Sequence, residues 1–285
     1  MKNALTIDVE DYFHVAAFSS VCSPERWDSY ECRVERNTDR LLAIFDENNV
    51  KATFFILGWV AERFPALVRR IAEMGHEVAS HGFSHRLIYE QTPDDFRVET
   101  IKSKHILEDI AQSSVIGYRA ASYSITKQSE WALDILADAG FQYDSSIVPV
   151  YHDLYGIPGA PDSPGVISTP DGRSLVEFPP STVKFANARI PVGGGGYFRI
   201  FPYAITRKAL SYINQKEGKP FSFYLHPWEI DPDQPRMEVK LRSRFRHYTN
   251  LSRCEGRLRR LLKAFEFAPM REVLAELELL EGAVA

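Results

Sequence analysis

The chain alternates short apolar runs with stretches of helical periodicity. The apolar runs predict strands over 5–9, 52–57, 77–80, 115–118 and 221–225. Apolar residues spaced by three and four positions predict helices between them, the first starting near Asn37 or Thr38. The clearest begins at Thr92, a capping hydroxyl followed by Pro93 in the first turn, and extends to about Ile110. Repeated strand–helix alternation predicts right-handed crossovers, and therefore an α/β fold with a parallel sheet or barrel.

The pattern changes between residues 150 and 202, where Pro and Gly are dense and residues 193–196 are four consecutive glycines. This composition predicts long loops and hairpins inserted into the parallel framework. The glycine run has two readings that the sequence leaves open: a loop that approaches a sugar closely, or a turn between hairpin strands. Two further helices are predicted near the C-terminus, over 251–265 and 269–280.

Composition narrows the class of protein. The 285 residues are 45% hydrophobic and 25% charged with a net charge of −4, as in soluble globular proteins without a global attraction to nucleic acid. No apolar run approaches the roughly 18 residues of a membrane span, and charge interrupts the apolar stretch at the N-terminus. The three cysteines lack metal-finger spacing and are expected to be free thiols. We therefore expect a cytoplasmic protein.

Four groups of polar residues follow predicted strands. In chain order they are the carboxylates Asp8, Glu10 and Asp11, the pair His81 and His85, then Arg119, and finally His226 with Trp228. Each has an ordinary structural explanation: an acidic turn, two surface histidines, a structural ion pair, or a core histidine beside a packed Trp. Parallel strands, however, present their carboxyl ends at one rim, where α/β folds place active sites. We therefore expect the four groups to converge.

The chemistry of these residue types is complementary. Two histidines and one carboxylate form the minimal open site for a catalytic divalent metal. Zinc suits these ligands best, although other metals accept them. Arg119 could hold a carboxylate ionised, His226 could exchange protons near neutral pH, and Trp228 could lie against a sugar.

The motifs resemble those of the polysaccharide deacetylase family, carbohydrate esterase family four with its NodB-homology domain. They are the Asp-containing segment 6–11, the H-x-x-x-H segment 81–85 with its lead-in 75–80, the segments 119–123 and 143–146, and 224–226. Segments 8–14, 193–199 and 247–274 are similar to one subgroup, the deacetylases of exosortase-linked exopolysaccharide loci. The resemblance implies a deformed (β/α) barrel of about seven parallel strands with inserted loops and hairpins and a C-terminal helical extension.

The resemblance also implies a role for each of these residues: Asp8 is the general base, His81 and His85 are metal ligands, Arg119 orients the base and His226 is the general acid. Val9 interrupts the adjacent pair of aspartates that is frequent in the family, so the carboxylate ligand is either Glu10 or Asp11. Ala121 replaces a usual Pro, but the backbone N–H of Ser122 could still donate to an oxyanion. The expected substrate contacts are Ser122, Tyr123, Tyr197 and Trp228.

The implied reaction is the removal of N-acetyl groups from amino sugars of an exopolysaccharide or its precursor, by attack of a metal-bound water on the amide carbonyl. Water has a pKa of about 15.7 and an Asp carboxyl about 3.9, so Asp8 is a useful base only if a metal lowers the pKa of the water to about 7. Two other functions stay open: a related C–N hydrolase acting on a small cyclic amide, as in allantoinase, and a non-catalytic glycan-binding module.

The sequence divides into a predicted barrel, residues 1–230, and a basic helical extension packed on it, residues 231–285. Between Arg236 and Lys263 there are ten Lys or Arg and two acidic residues. The simplest interpretation is a docked helix with a solvated basic side. The alternative is peripheral contact of this basic side with an anionic membrane or a lipid-linked glycan. No nucleic-acid partner is expected.

Overall fold

The structure, a computed structural model, describes residues 1–152, 154–186 and 188–280. Within these residues one sheet has nine strands in the order β10-β1-β2-β3-β4-β5-β7-β6, with β11 also paired to β1, and β8 and β9 form a separate hairpin. The strands are β1 (Lys2–Val9), β2 (Thr53–Ile56), β3 (Glu77–Ser80), β4 (Gly117–Tyr118), β5 (Tyr143–Asp144), β6 (Gly165–Ser168), β7 (Ser174–Glu177), β8 (Thr182–Phe185), β9 (Ala188–Pro191), β10 (Ser222–Leu225) and β11 (Glu266–Ala268).

The helices cover the sheet and connect its strands. They are α1 (Val34–Glu47), α2 (Gly58–Arg63), α3 (Pro65–Glu73), α4 (Pro93–Ala111), α5 (Trp131–Asp138), α6 (Gly195–Ile200), α7 (Tyr203–Gln215), α8 (Leu241–Tyr248), α9 (Leu251–Leu262) and α10 (Met270–Glu276). Of these described helices, none has both the length and the apolar character needed to cross a bilayer.

The parallel register brings the ends of successive strands to one edge. Asp8 pairs with Phe55, Ile56 with Ser80, and Ser80 with Tyr118. The polar residues that follow β1, β3, β4 and β10 therefore meet at the carboxyl edge of the sheet, which we call the rim. The predicted convergence of the strand exits is confirmed.

The predicted α/β fold with a mostly parallel sheet is confirmed. From β10 to β7 the described sheet path contains seven parallel strands, and β6 is antiparallel to β7. The described part of the chain shows an open form of the barrel, since β6 and β10 lie at the two ends of the path. The segment after β7 makes two hydrogen bonds with β10, at one end of the path. Ser222 N donates to Ser181 Oγ at 2.8 Å, and Tyr224 N donates to Gly193 O at 2.7 Å.

The glycine run packs against β10, the last strand of the predicted barrel, and its close approach to a sugar stays a prediction. Gly194 forms an isolated bridge with Tyr224, and a Cβ on Gly194 would lie 1.9 Å from the Tyr224 carbonyl oxygen. The glycines therefore allow the chain to pack against the backbone of β10, and α6 begins at Gly195. They are not the turn of a hairpin.

Two predicted elements begin where the sequence predicts, and one begins earlier. β3 matches its prediction, and α4 begins after Thr92, whose hydroxyl accepts from Asp95 N at 3.2 Å. α1 begins at Val34, three or four residues earlier than expected, because the cap comes from Asp11, which is distant in sequence. The inserted region contains the predicted hairpins, β6–β7 and β8–β9.

The region after residue 230 makes close contacts with the rest of the chain. β11 adds a parallel strand beside β1, with Ala4 opposite Ala268, and Leu258 and Leu261 of α9 are buried in the main hydrophobic core. The division at residue 230 stays a prediction. The last five residues of the predicted extension, 281–285, lie outside the described residues.

Candidate active site

A cavity of about 490 Å³ opens at the rim. Its inner part contains the predicted Asp8, His81 and His85, with Glu10 and His226 beside them. A larger cavity of about 710 Å³ lies at the opposite edge, near Glu77 and Gln142, where the strands begin. Active sites of α/β barrels lie at the carboxyl edge, so the rim cavity is the candidate active site.

Glu10, His81 and His85 form a compact group. One side-chain ligand atom from each lies within 4.8 Å of the others. Glu10 Oε2 is 2.8 Å from His85 Nε2, and both side chains are almost fully buried. Burial alone raises the pKa of a carboxyl, but the nearby His85, His226 and His81 outweigh it and hold the pKa of Glu10 below its usual range. Glu10 is therefore a carboxylate.

Hydrogen bonds orient His81 and Glu10, and the backbone conformation orients His85. The Nδ1 atom of His81 lies 2.8 Å from the carbonyl oxygen of Arg119, which fixes the proton on Nδ1 and leaves Nε2 with a free lone pair. Burial lowers the pKa of His81 to about 4, so its ring is neutral at pH 7. Trp228 Nε1 donates to Glu10 Oε1 at 3.1 Å. His85 lies in the left-handed region with φ of 53°, which turns its ring back toward His81, 5.4 Å away between centroids.

Asp11 occupies a different environment. Its carboxylate accepts from Arg33 N at 2.5 Å and from Val34 N at 2.8 Å at the start of α1, and from Tyr12 N at 2.9 Å. Negative charge at a helix N-terminus is favourable. Of the two carboxylates that the sequence left open as a metal ligand, the structure places Glu10 with the histidines and uses Asp11 as a helix cap.

Asp8 and Arg119 form a buried ion pair at the bottom of the cavity. Arg119 Nη1 donates to Asp8 Oδ1 at 2.6 Å, and the two side chains are 1% and 3% exposed. The rest of the guanidinium is engaged by Thr6 and Ser145. The predicted pairing of Arg119 with a carboxylate is thus present, and it leaves Asp8 Oδ2 directed toward His226 Nε2, 3.9 Å away.

His226 is held by a carboxylate on its far side. Its Nδ1 lies 2.8 Å from Glu229 Oε1, and Glu229 Oε2 accepts from Arg199 Nε at 2.5 Å. Burial lowers the pKa of His226, but the carboxylates of Glu10, Glu229 and Asp8 outweigh it and raise the pKa to about 9. His226 is therefore an imidazolium near neutral pH, with its Nε2 facing Glu10 Oε1 at 3.4 Å.

The four predicted substrate contacts all line the cavity, but they differ in backbone conformation, burial and hydrogen bonding. Ser122 and Tyr123 both lie in the left-handed region, at φ of 51° and 57°, a strained conformation that clusters at functional sites. The buried Tyr123 hydroxyl has no partner among the described residues. Tyr197 is half-buried, and its ring packs on Phe201.

Trp228 corrects the sequence interpretation. Its side chain is only 5% exposed, and its ring stacks with those of His226 and His247 at centroid distances of 5.1 and 4.1 Å. A sugar platform requires an open ring face. Trp228 instead packs between neighbouring rings and orients Glu10.

The residues present fit a divalent metal. Glu10, His81 and His85 supply one oxygen and two nitrogen ligands, and the secondary contacts of His81 and Glu10 are of the kind that orient metal ligands. Three protein ligands leave positions open for water or substrate, as in catalytic zinc sites.

Comparison with known families divides the chain in two. Residues 27–143 match the family model "Polysaccharide deacetylase", and residues 145–275 match a domain of unknown function, DUF3473. The first match and the relatives below support a similarity of that part of the chain to polysaccharide deacetylases. The exosortase-linked subgroup has no such support.

Curated relatives match a limited part of the chain. It is 42% identical over 74 residues to a peptidoglycan-N-acetylglucosamine deacetylase of Bacillus cereus, 29% over 109 residues to a peptidoglycan deacetylase of Helicobacter pylori, and 28% over 100 residues to a chitooligosaccharide deacetylase of a Bradyrhizobium species. These matches span 26%, 38% and 35% of this chain, and 27%, 36% and 43% of the relatives' own lengths.

Solved structures support the fold over nearly the whole chain. A Mycobacterium smegmatis protein assigned to the polysaccharide deacetylases superposes with a TM-score of 0.64 at 21% identity, covering 97% of this chain and 91% of that one. A PuuE allantoinase superposes with a TM-score of 0.63 at 14% identity, covering 98% and 90%. At these identities the likeness concerns the fold alone.

The residues behind His226 were not predicted from the sequence. Arg199 and Glu229 are fully buried charged residues, and neither was assigned a role. The spacing of three between His226 and Glu229 was a usable signal, since residues so spaced in a helical turn share a face. The contact with Arg199 joins positions 30 residues apart and had no local signal.

Proposed function

We propose that the chain is a metal-dependent hydrolase that removes N-acetyl groups from amino sugars of an exopolysaccharide or its precursor. The observation that carries the proposal is the group Glu10, His81 and His85 within 4.8 Å, with Asp8 and His226 beside it in one cavity. The names of the relatives, which are deacetylases of peptidoglycan and chitooligosaccharide, support the reaction type.

Glu10, His81 and His85 would hold the metal, which we propose to be zinc. When bound, a divalent cation supplies a Lewis acid that lowers the pKa of water and polarises the amide carbonyl. Glu10 keeps its orientation through Trp228, and His81 through the Arg119 carbonyl.

Asp8 is the proposed general base. Arg119 occupies Oδ1, so Oδ2 is the atom that accepts the proton of the attacking water. The ion pair fixes the rotamer of Asp8 and keeps the carboxylate from turning away from the cavity.

His226 is the proposed general acid. Glu229 accepts the Nδ1–H hydrogen bond, which places the transferable proton on Nε2, facing the cavity. The raised pKa keeps that proton in place until the leaving nitrogen gains basicity. Ser122 lines the cavity, and its backbone N–H is the proposed donor to an oxyanion; the hydroxyl of Tyr123, which has no partner among the described residues, is a proposed substrate contact.

The exopolysaccharide substrate, the exosortase-linked subgroup and a cytoplasmic location belong to the same proposal. The substrate and the subgroup rest on the sequence resemblance of segments 8–14, 193–199 and 247–274, and the location rests on the three free cysteines. The matches to polysaccharide deacetylases support the coarser class, an enzyme acting on N-acetylated glycans.

We also propose that α8, in the basic region, contacts an anionic membrane surface. Leu241 and Phe245 lie one turn apart on α8 and are 80% and 60% exposed, between basic residues at 240, 242 and 244. Such a face suits an anionic membrane surface. Co-sedimentation should show binding to vesicles of phosphatidylglycerol that Leu241→Ser with Phe245→Ser abolishes. Equal binding to neutral phosphatidylcholine vesicles would contradict this contact.

The main test combines metal analysis with acetate release. Purified protein should contain close to one divalent metal per chain and release acetate from N-acetylglucosamine oligomers, and a chelator should remove both. Ring opening of allantoin without acetate release would instead favour a cyclic amide hydrolase. Sugar binding without hydrolysis in the metal-loaded protein would favour a binding module.

A further inference from the structure

Part of the wall of the active-site cavity comes from α8, which lies outside the part of the chain that matches the polysaccharide deacetylase model. Ser243, Arg246 and His247 line the same cavity as Glu10, His81 and His85. This wall includes an exposed cation, Arg246, for which no metal or proton-transfer role follows from the geometry.

The backbone of Arg246 is fixed although its side chain is exposed. Its carbonyl oxygen accepts from Arg199 Nη2 at 3.0 Å, and Arg199 Nη1 donates to the carbonyls of His247 at 2.7 Å and Thr249 at 2.9 Å. Arg199 is 1% exposed. The last turn of α8 is thereby anchored to the core, and Arg246 stands at a defined position on the cavity wall.

The charge of Arg246 is not balanced within the cavity. Among the described lining residues the acids are Asp8 and Glu10, and both are engaged, Asp8 by Arg119 and Glu10 by His85 and Trp228. The other lining arginine, Arg199, is neutralised by Glu229. Over the described part of the chain no hydrogen bond or ion pair reaches the guanidinium of Arg246.

Hydroxyl-bearing side chains line the same cavity as this cation. They are Tyr155, Tyr197 and Ser243. A guanidinium flanked by hydroxyl donors recognises a carboxylate or a phosphate through charge-assisted hydrogen bonds.

We propose that Arg246 binds an anionic substituent, a carboxylate or a phosphate, on the glycan whose N-acetyl group occupies the inner part of the cavity. The inference rests on the proposed function and specifies it: the substrate is an acidic or phosphorylated glycan. Arg246 determines specificity and takes no part in proton transfer.

The experiment compares three substrates in the metal-loaded full chain. They are a neutral N-acetylglucosamine oligomer, an oligosaccharide that alternates N-acetylglucosamine with glucuronic acid, and an N-acetylglucosamine oligomer carrying a 1-phosphate. We expect kcat/KM of the parent chain to be at least about tenfold higher for one anionic substrate than for the neutral one, through KM. The better anionic substrate identifies the source of the charge.

Arg246→Gln should remove this preference and leave kcat/KM for the neutral oligomer within about twofold. Arg253→Gln is the matched control, because Arg253 is an exposed arginine of the next helix, α9, that does not line the cavity. It should leave all three values unchanged. Equal loss on neutral and anionic substrates in Arg246→Gln, or no anionic preference in the parent chain, would overturn the inference.

Calorimetric binding separates this inference from the proposed function. N-acetylglucosamine 1-phosphate and N-acetylmuramic acid, each compared with N-acetylglucosamine, test the subsite without hydrolysis. Tighter binding of an anionic sugar that Arg246→Gln abolishes supports the subsite even if no substrate is deacetylated. Equal binding of all three sugars rejects the subsite even if deacetylation occurs.

Discussion

Arg119 Nη1 lies 2.6 Å from Asp8 Oδ1 inside the protein, where neither side chain has appreciable contact with solvent. Asp8→Asn keeps an acceptor for Arg119 but removes the atom that takes up a proton. We expect acetate release to fall by about 10²–10⁴-fold while bound metal stays near the parent level. Acetate assays paired with elemental analysis check this, and turnover near that of the parent would assign the base elsewhere.

Glu10 and Asp11 are adjacent in sequence but should respond differently to substitution. Glu10→Gln removes a charged group from the proposed ligand set and should lower metal content and activity together, as His81→Ala and His85→Ala should. Asp11→Ala removes the cap of α1 and should lower the free energy of unfolding by about 1–2 kcal/mol while metal binding persists. Elemental analysis and urea unfolding of the variants distinguish the two. Loss of metal in Asp11→Ala with Glu10→Gln unaffected would reverse the assignment.

Gly194 is required by close packing on β10 as well as by its backbone conformation. Gly194→Ala places a Cβ 1.9 Å from the Tyr224 carbonyl oxygen at φ of 129°, so we expect a loss of at least about 3 kcal/mol in the free energy of unfolding. Gly140→Ala is the control, because Gly140 has φ of 76° but open space around its Cβ position, and should cost about 1 kcal/mol. Thermal or urea unfolding measures both, and equal losses would show that conformation alone matters.

Glu177 should make stability fall as pH rises. Burial and the neighbouring Asp144 raise the pKa of Glu177 well above its usual value, and burial also raises the pKa of Asp144. Above about pH 4.5 the unfolded chain has released a proton that the folded chain still holds, so increasing pH favours unfolding. Glu177→Gln cannot ionise and retains an acceptor for Ile147 N.

We therefore expect Glu177→Gln to match the parent near pH 4.5 and to exceed it by more than about 1 kcal/mol at pH 8. Urea unfolding at both pH values measures the difference, and Glu73→Gln on an exposed surface serves as the control. A variant whose advantage is the same at both pH values would show that Glu177 is ionised in the folded chain.

Local patterns sufficed where one segment determines its own structure. The buried run of β2 and the Thr92 cap of α4 were readable, and the strand-exit rule brought Asp8, His81 and His226 together.

Features that depend on distant partners could not be read from the sequence. The early start of α1 needs Asp11, which lies 23 residues before Val34. The burial of Trp228 needs His247 from α8, a helix whose many basic residues hid its apolar positions. β5 has two residues, too few for periodicity to define.

Arg199 contacts Glu229 on one side and carbonyls up to 50 residues downstream on the other. Its guanidinium thus links α6, which begins in the glycine run, to Glu229, which holds His226, and to the last turn of α8. Exchange of C-terminal portions between homologues would succeed only when the incoming portion presents carbonyls that match this arginine. The segments that this arginine joins all lie within residues 145–275, and we therefore expect them to be inherited as one block.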